Sequence, residues 1–333
     1  MADKQEDYLI QKVILIRDGK EAASFDLSFL KSATLIETMD LSGPRLMMTF
    51  DDPHSIIRDD MGVRTRDALK IRIADAWARD GTDQTIMFTV WTMPNAGNIV
   101  TLNCMQADVD RLKQPAKQAI LFTKKPVETI LKKLAPGLKY DVGAFPVADN
   151  AHLLPGERPT RLLRQMAAEK GAVCFYRRGT LVFRKLAQDL AVQKVEYSYE
   201  YDNPAAANQI VHYTRLNTKA VLQDRVNRHL IGWHMVDGVI KSGKKTQDPP
   251  EYVSVSSLAA LRNLVEMPYP AIDYTALGNG QLMPGIPLAL KWNTAKLDAP
   301  IDESLPEQVI IGTVAHHYAT QKYLCRVKGV LPL

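Results

Sequence analysis

Four carboxylates stand in two adjacent pairs, Asp51-Asp52 and Asp59-Asp60. Paired carboxylates are the chemistry of a glycosidase, one as general acid and the other as base or nucleophile. That mechanism needs a set distance between the carboxyl groups, and adjacency along the chain does not provide it. All four lie in one connection from Asp51 to Arg66 that is dense in charge. Carboxylates crowded in a polar loop are ordinarily just solvated, although loops this long are often functional.

The other candidates fail on geometry in the same way. His316-His317 falls in an expected strand, where neighbouring side chains point to opposite faces and cannot hold one metal together. His229 and His234 are five apart, which suits neither a helix face nor a strand face. Gly278-Asn279-Gly280 lacks the third glycine of a dinucleotide loop and reads as a turn. No HExxH, GxSxG or Walker loop occurs. Cys104, Cys174 and Cys325 stand far apart in apolar runs, as buried free thiols rather than a disulfide or zinc framework. No catalytic residue, metal site or cofactor is therefore expected.

Tyr197, Tyr199 and Tyr201 alternate with Glu196, Ser198 and Glu200. Such a stripe could stack bases of a single strand. Two flanking glutamates argue against that, and a packed strand face or a subunit interface fits tyrosine better.

The elements that must position these residues are mostly strands. Tyr8 to Ile16 is rich in Ile and Val, and Asp18-Gly19 after it is a strong hairpin signal. Phe25, Leu27 and Phe29 alternate as a returning strand. Thr34–Met39 and Arg45–Phe50 pair across Ser42-Gly43-Pro44, Leu69, Ile71 and Ile73 mark another strand, and Thr85–Thr92 and Ile99–Met105 flank a turn at Pro94 to Gly97. Strands in this number without a long helix predict an antiparallel barrel or sandwich. The middle is mixed. Pro126 opens a helix with Val127, Ile130, Leu131 and Leu134 on one face. A second helix follows Pro159, and a hairpin turns at Arg177-Arg178-Gly179. The last third returns to strands at Val195–Tyr201, Gln209–Leu216, Leu230–Ile240, Ile286–Trp292, Val309–Tyr318 and Lys322–Val330, with one helix from Ser257 to Glu266.

Composition agrees with a globular chain: 333 residues, 46% apolar and 24% charged, long enough for two or three domains. The net charge of +5 is uneven. Residues 110–189 hold 16 Lys or Arg against 7 Asp or Glu, a net of +9, while the remainder is slightly acidic. Such a surface is either simply solvated or meets an acidic partner or nucleic acid. The acidic N-terminus lacks the pattern of a signal peptide, and no apolar run is long enough to span a bilayer, so the chain is expected to be made in a cytoplasm.

Three stretches resemble the baseplate hub family of contractile phage tails, which includes the late-control D proteins and the hub part of secretion-system spikes. They are PTRLLRQMAAEKGAVCFYRRGTLVFRK (Pro159 to Lys185), GNGQLMPGIPLALKW (Gly278 to Trp292) and VIIGTVAHHYATQKYLCRVKGV (Val309 to Val330). The resemblance implies an α+β, β-rich fold, with two tube-like antiparallel β-barrel domains (1–112 and 191–333) flanking a small basic α/β domain (113–190). It implies a virion structural protein, not an enzyme. It also implies a homotrimer whose pseudo-sixfold ring joins a hexameric tail-tube protein to a trimeric central spike. Tape-measure and other baseplate proteins would be further partners, with DNA only as cargo in the lumen and no membrane insertion. Tyr197, Tyr199, Tyr201, Asp59, Asp60, Arg64 and Arg66 are the candidate subunit contacts. A tail-tip cell-wall hydrolase using the aspartates, or nucleic-acid binding through the basic middle, are the alternatives.

Overall fold

The Asp18-Gly19 step folds as its residue types demand. Asp18 has φ 51° and Gly19 φ 73°, both left-handed, and Arg17 faces Lys20 across them. The computed structural model describes residues 8–75, 83–146, 149–186, 195–199, 208–216, 229–234, 236–242, 249–255, 257–265, 267–293, 302, 304–319 and 322–331.

The N-terminal part holds β1 (Tyr8–Arg17), β2 (Lys20–Ser24), β3 (Leu30–Thr38), β4 (Arg45–Asp51), β5 (Ala68–Asp75), β6 (Gln84–Thr92), β7 (Asn95–Ala96) and β8 (Ile99–Gln106). The expected strand through Phe25, Leu27 and Phe29 is not one. Leu27–Phe29 is a 3-10 turn, because the Asp26 side chain accepts a hydrogen bond from the Ser28 N–H at 2.9 Å and captures the backbone locally.

The middle holds α1 (Ala107–Leu112), β9 (Ile120–Lys125), α2 (Val127–Leu134), β10 (Lys139–Val142), β11 (Asp149–Leu153), α3 (Pro159–Glu169), β12 (Val173–Arg177) and β13 (Thr180–Arg184). Its own core gathers Phe122, Ile130, Leu131, Leu163, Cys174 and Phe183. The β12–β13 turn places Arg178 at φ 43° and Gly179 at φ 86°, the same left-handed pair as at Asp18-Gly19.

The last part holds β14 (Val195–Tyr199), β15 (Ile210–Arg215), β16 (Leu230–His234), β17 (Gly238–Ser242), β18 (Glu251–Val253), α4 (Leu258–Val265), β19 (Tyr269–Leu277), β20 (Pro287–Trp292), β21 (Gln308–Ala319) and β22 (Lys322–Leu331). Leu230 to Ile240 is a hairpin, not one strand: β16 and β17 meet across a turn at Gly238, whose φ is 67°. With β18 they form a separate small sheet. α4 covers one face of it through Ala260 and Leu261, and leans on α3 where Asn263 donates to the Glu169 carbonyl at 2.7 Å.

The two flanks are joined. β21 pairs with β3 from Thr313 opposite Thr38 to Ala319 opposite Ser32, so one 14-stranded sheet runs through both. β21 is long enough to divide one edge between two partners. Its start pairs with β20 and its remainder with β3. The switch falls at an irregularity beside Gly312, where a Cβ would approach Val330 to 2.5 Å. One apolar core serves both flanks, from Leu35, Phe50 and Phe88 to Tyr274, Trp292 and Val327. In the C-terminal run β15-β19-β22-β21-β20-β14, the end strands touch at one bridge, Ser198 with Gln209. Among the described residues no ladder closes the N-terminal run on itself.

Candidate functional site

The charged loop after β4 is built as a fixed projection. The buried Asp52 carboxylate accepts from the Ile57 N–H at 3.1 Å, and Ile57 and Val63 are sunk into the core. Between these anchors Ile56–Asp60 forms a π-helical turn, entered by Ser55 at φ 55°. The four aspartates have separate surroundings. Asp51 meets Lys31 at 2.9 Å, Asp52 holds the turn, Asp59 takes both Arg58 contacts at 2.9 Å, and Asp60 is exposed. The Arg58 hydrogen bonds hold the Asp59 carboxyl below the usual carboxylate range.

Arg64 is also exposed, while its N–H donates to Asp67. Arg66, at φ 79°, turns back instead: its guanidinium reaches Asp110 of α1 at 3.1 Å. Asp110 is buried and also accepts from Trp91 Nε1 at 2.9 Å and from Gln114 at 3.2 Å. The tyrosines divide likewise. Tyr197 is fully buried and accepts a hydrogen bond from Asn279 at 2.9 Å. Tyr199 is half-buried and meets Tyr213 edge-on at 5.1 Å, with Trp292 beyond at 4.9 Å. Tyr201 lies outside the described residues.

The histidine doublet splits as strand alternation requires. His317 is exposed beside Thr34 Oγ1 at 2.8 Å, and His316 is buried. His234 pairs with Asp237 at 2.8 Å. Among the described residues no three His, Cys, Asp or Glu side chains are placed to hold one metal ion. Asn279 Oδ1 accepts from the Gln281 N–H at 2.8 Å, fixing the expected turn after Gly278.

His316 belongs to a buried set that sequence reasoning did not assemble. Its Nε2 lies 3.4 Å from Glu37 Oε2 of β3 and 3.1 Å from the Leu282 carbonyl. Its Nδ1 lies 2.7 Å from the Tyr323 hydroxyl and 3.3 Å from Cys325 Sγ, both on β22. Arg178, from the tip of the β12–β13 turn, reaches in to Glu37 at 3.5 Å and donates to the Gly280 carbonyl at 2.6 Å. The Glu37, Arg178 and His316 side chains are 2%, 7% and 2% exposed. Residues from both flanks, the middle unit and the 278–286 loop thus meet in one desolvated ionic cluster.

Burial opposes charge on Glu37, His316 and Cys325, and the neighbours outweigh it. Burial pushes Glu37 up, but His316 and Arg178 bring it below its ordinary value. Burial pulls His316 down, but Cys325 and Glu37 raise it to about 9. The Cys325 thiol is likewise raised by burial and lowered overall by His316. Cys104 has no such neighbour, and burial pushes it up to about 12. Cys–His–Glu contacts of this kind activate nucleophiles where substrate has access. Here Cys325 is wholly buried, and the arrangement joins parts of the fold.

One signal for it was present in the sequence. Glu37 continues the inward phase of Ala33 and Leu35, so a charge occupies an apolar position of β3. Nothing local marks Arg178 as its partner.

No family model and no curated protein matches the chain. Solved structures do. A tail protein from Neisseria meningitidis MC58 superposes with TM-score 0.62 at 13% identity, covering 96% of this chain and 95% of that one. The 43 kDa tail protein of prophage MuSo2 from Shewanella oneidensis gives 0.61 at 12%, covering 97% and 99%. This chain has the fold of phage tail proteins. An Escherichia coli component of the type VI secretion system, described as similar to T4 tail proteins gp27 and gp5, gives 0.50 at 10% over 91% of this chain and 73% of that one. The same fold thus occurs in a secretion-system component. No helix among the described residues is long and apolar enough to cross a membrane.

Proposed function

We propose that this protein is the structural hub of a contractile tail baseplate, in a phage or a related injection particle, and that it is not an enzyme. The observation that carries this reading is end-to-end likeness to two tail proteins, over 95% or more of both chains in each pair. Three copies form a ring in which each supplies two tube-like β-barrels, presenting pseudo-sixfold symmetry to a hexameric tail tube and threefold symmetry to a central spike. The Ser198–Gln209 bridge, joining the ends of the C-terminal run, supports the second barrel. The shared β3–β21 ladder gives the two barrels a common wall. Full closure also suits so many strands, because it removes edges that would otherwise pair at random.

The division at about residues 112 and 190 follows the change from sheet to mixed structure at α1 and back at β14. Within the last part, the small sheet with α4 packs on α3 and belongs with the middle unit in space. Subunit contacts fall to Asp59, Asp60 and Arg64 on the projecting loop and to Tyr199 and Tyr201. Arg66 and Tyr197 are bound within their own subunit and only position these. Spike and baseplate partners are supported by likeness to a chain of a Francisella PdpA–VgrG complex, at TM-score 0.52 over 97% of this chain and 59% of that one.

The test is light-scattering mass of the chain co-expressed with the spike encoded beside it, together with imaging of purified particles. A threefold ring at the tube–spike junction is expected. A strict monomer in the presence of the spike, or absence from the particle, rejects the hub.

A further inference from the structure

The turn at Gly278-Asn279-Gly280 holds the one Asn-Gly step in the chain. That pair carries chemistry of its own. The backbone nitrogen that follows an asparagine can attack the side-chain carbon, and glycine, with no Cβ, hinders the attack least. A bond forms between the Gly280 nitrogen and Asn279 Cγ, the Cγ–Nδ2 bond breaks, and ammonia leaves with the proton from the Gly280 nitrogen. Water then opens the cyclic imide. Its attack at Cγ leaves an aspartate, and its attack at the main-chain carbonyl carbon leaves an isoaspartate. Water is the one co-reactant.

The structure ties down the groups that must move. Asn279 Oδ1 accepts from the Gln281 N–H at 2.8 Å, and Nδ2 donates to the Tyr197 hydroxyl at 2.9 Å. An N–H can only donate, so the Gln281 contact fixes which end of the amide is oxygen. Departure of Nδ2 as ammonia gives up the Tyr197 bond outright. The main chain is held as well. The Asn279 carbonyl accepts from the Leu282 N–H at 3.2 Å, and its peptide plane contains the Gly280 nitrogen. The Gly280 carbonyl takes the Arg178 guanidinium at 2.6 Å, and the Asn279 N–H lies 3.3 Å from Cys325 Sγ. Gly280 is itself buried, which keeps out the water that opens the imide.

We infer that Asn279 is the site at which this chain ages by deamidation, and that the Tyr197 hydroxyl and the Gln281 N–H guard it in the folded state. Either product puts a carboxylate where Nδ2 donated to Tyr197. Isoaspartate also adds a carbon to the main chain between Asn279 and Gly280, beside the carbonyl that Arg178 binds. The reaction is one-way, and it falls where the loop meets the middle unit.

Asn95 and Asn98 are exposed but precede Ala96 and Ile99, whose Cβ atoms hinder the same attack, so they serve as controls within the chain. The intact chain is kept in mildly alkaline buffer below its unfolding transition, beside the same chain unfolded in urea. Conversion of each amide to acid is followed by peptide mass. Asn279 should convert at least about tenfold more slowly in the folded chain than in urea, because reaction waits on local opening. Tyr197→Phe should speed the folded-state conversion about fivefold, the equivalent of one ordinary hydrogen bond, and leave the rate in urea unchanged. Asp52→Ala, which loses the Ile57 contact elsewhere in the fold, should leave the folded-state rate at Asn279 as it was. Conversion of Asn95 or Asn98 ahead of Asn279 in urea overturns the site. Equal rates in the folded and unfolded chain, a Tyr197→Phe rate equal to that of the parent, or an equal rise in Asp52→Ala overturns the guard. If Tyr197→Phe does not fold, the folded-to-unfolded ratio of the native chain decides alone.

Discussion

Replacing Arg178 with methionine tests the cluster most directly. Methionine keeps much of the apolar stem and removes the guanidinium. The contact with Glu37 at 3.5 Å and the hydrogen bond to the Gly280 carbonyl at 2.6 Å go with it. Removing one partner of a buried ion pair costs about 3–5 kcal/mol, since the other charge is stranded. Glu37 is not wholly stranded, because His316 remains 3.4 Å away. The low end applies, about 3 kcal/mol, or roughly a hundredfold in the folding equilibrium. Glu37→Gln takes the carboxylate away from both Arg178 and His316 and should cost a similar amount. In the double variant neither charge is stranded, so its loss falls short of the sum by at least about 1 kcal/mol. Urea unfolding at neutral pH measures all three values, with unchanged m-values showing that the transition is comparable. A loss under about 1 kcal/mol for Arg178→Met, or additivity within about 0.5 kcal/mol, refutes the coupling.

Gly278→Ala places a Cβ 1.9 Å from a Tyr323 ring carbon, so it should destabilise by about 1–3 kcal/mol. A melting temperature equal to that of the parent shows that the ring has room to move. Asp110→Asn puts an amide donor where Trp91, Gln114 and Arg66 all donate, which should cost about 1.5–3 kcal/mol in chemical unfolding. Most of that comes from the part-buried Trp91 and Gln114 contacts, because Arg66 is over half exposed and water screens it. An unchanged midpoint removes Asp110 as an anchor of α1. Reversing Asp60 and Arg64 to Lys and Glu should lower the assembled fraction in sedimentation without changing the melting temperature of the subunit. Undiminished assembly takes the loop out of the interface.

Much of the strand pattern was legible because alternation and turn chemistry are local. The Asp18-Gly19 and Arg178-Gly179 turns follow from residues able to adopt positive φ, and the β21–β22 hairpin from two alternating runs. Errors arose where a side chain captured the backbone, as Asp26 does before Leu27, or where a hairpin was hidden in one apolar run, as between Leu230 and Ile240. The β3–β21 ladder was not legible. It joins residues nearly the whole chain apart, and each strand alone reads as an ordinary member of its own domain. The site shows the same limit. The exposed loop announced itself by its charge. The buried cluster needed the register that sets His316 opposite Cys325, and an arginine arriving from a third part of the chain.

A cluster of charges at this seam needs a physical reason, because apolar packing would serve stability at least as well. Replacing a buried ionic set by apolar residues of similar size is often neutral or stabilising by about 1–4 kcal/mol. The triple variant Glu37→Leu, Arg178→Met, His316→Leu should accordingly be about as stable as the parent at neutral pH, although Arg178→Met alone is costly. Urea unfolding at neutral pH measures it. Stability kept shows that the charges are not what holds the three parts together. If the triple variant instead falls by more than the Arg178→Met loss, the charges hold the seam together in their own right, and their placement where three parts meet is a matter of stability alone.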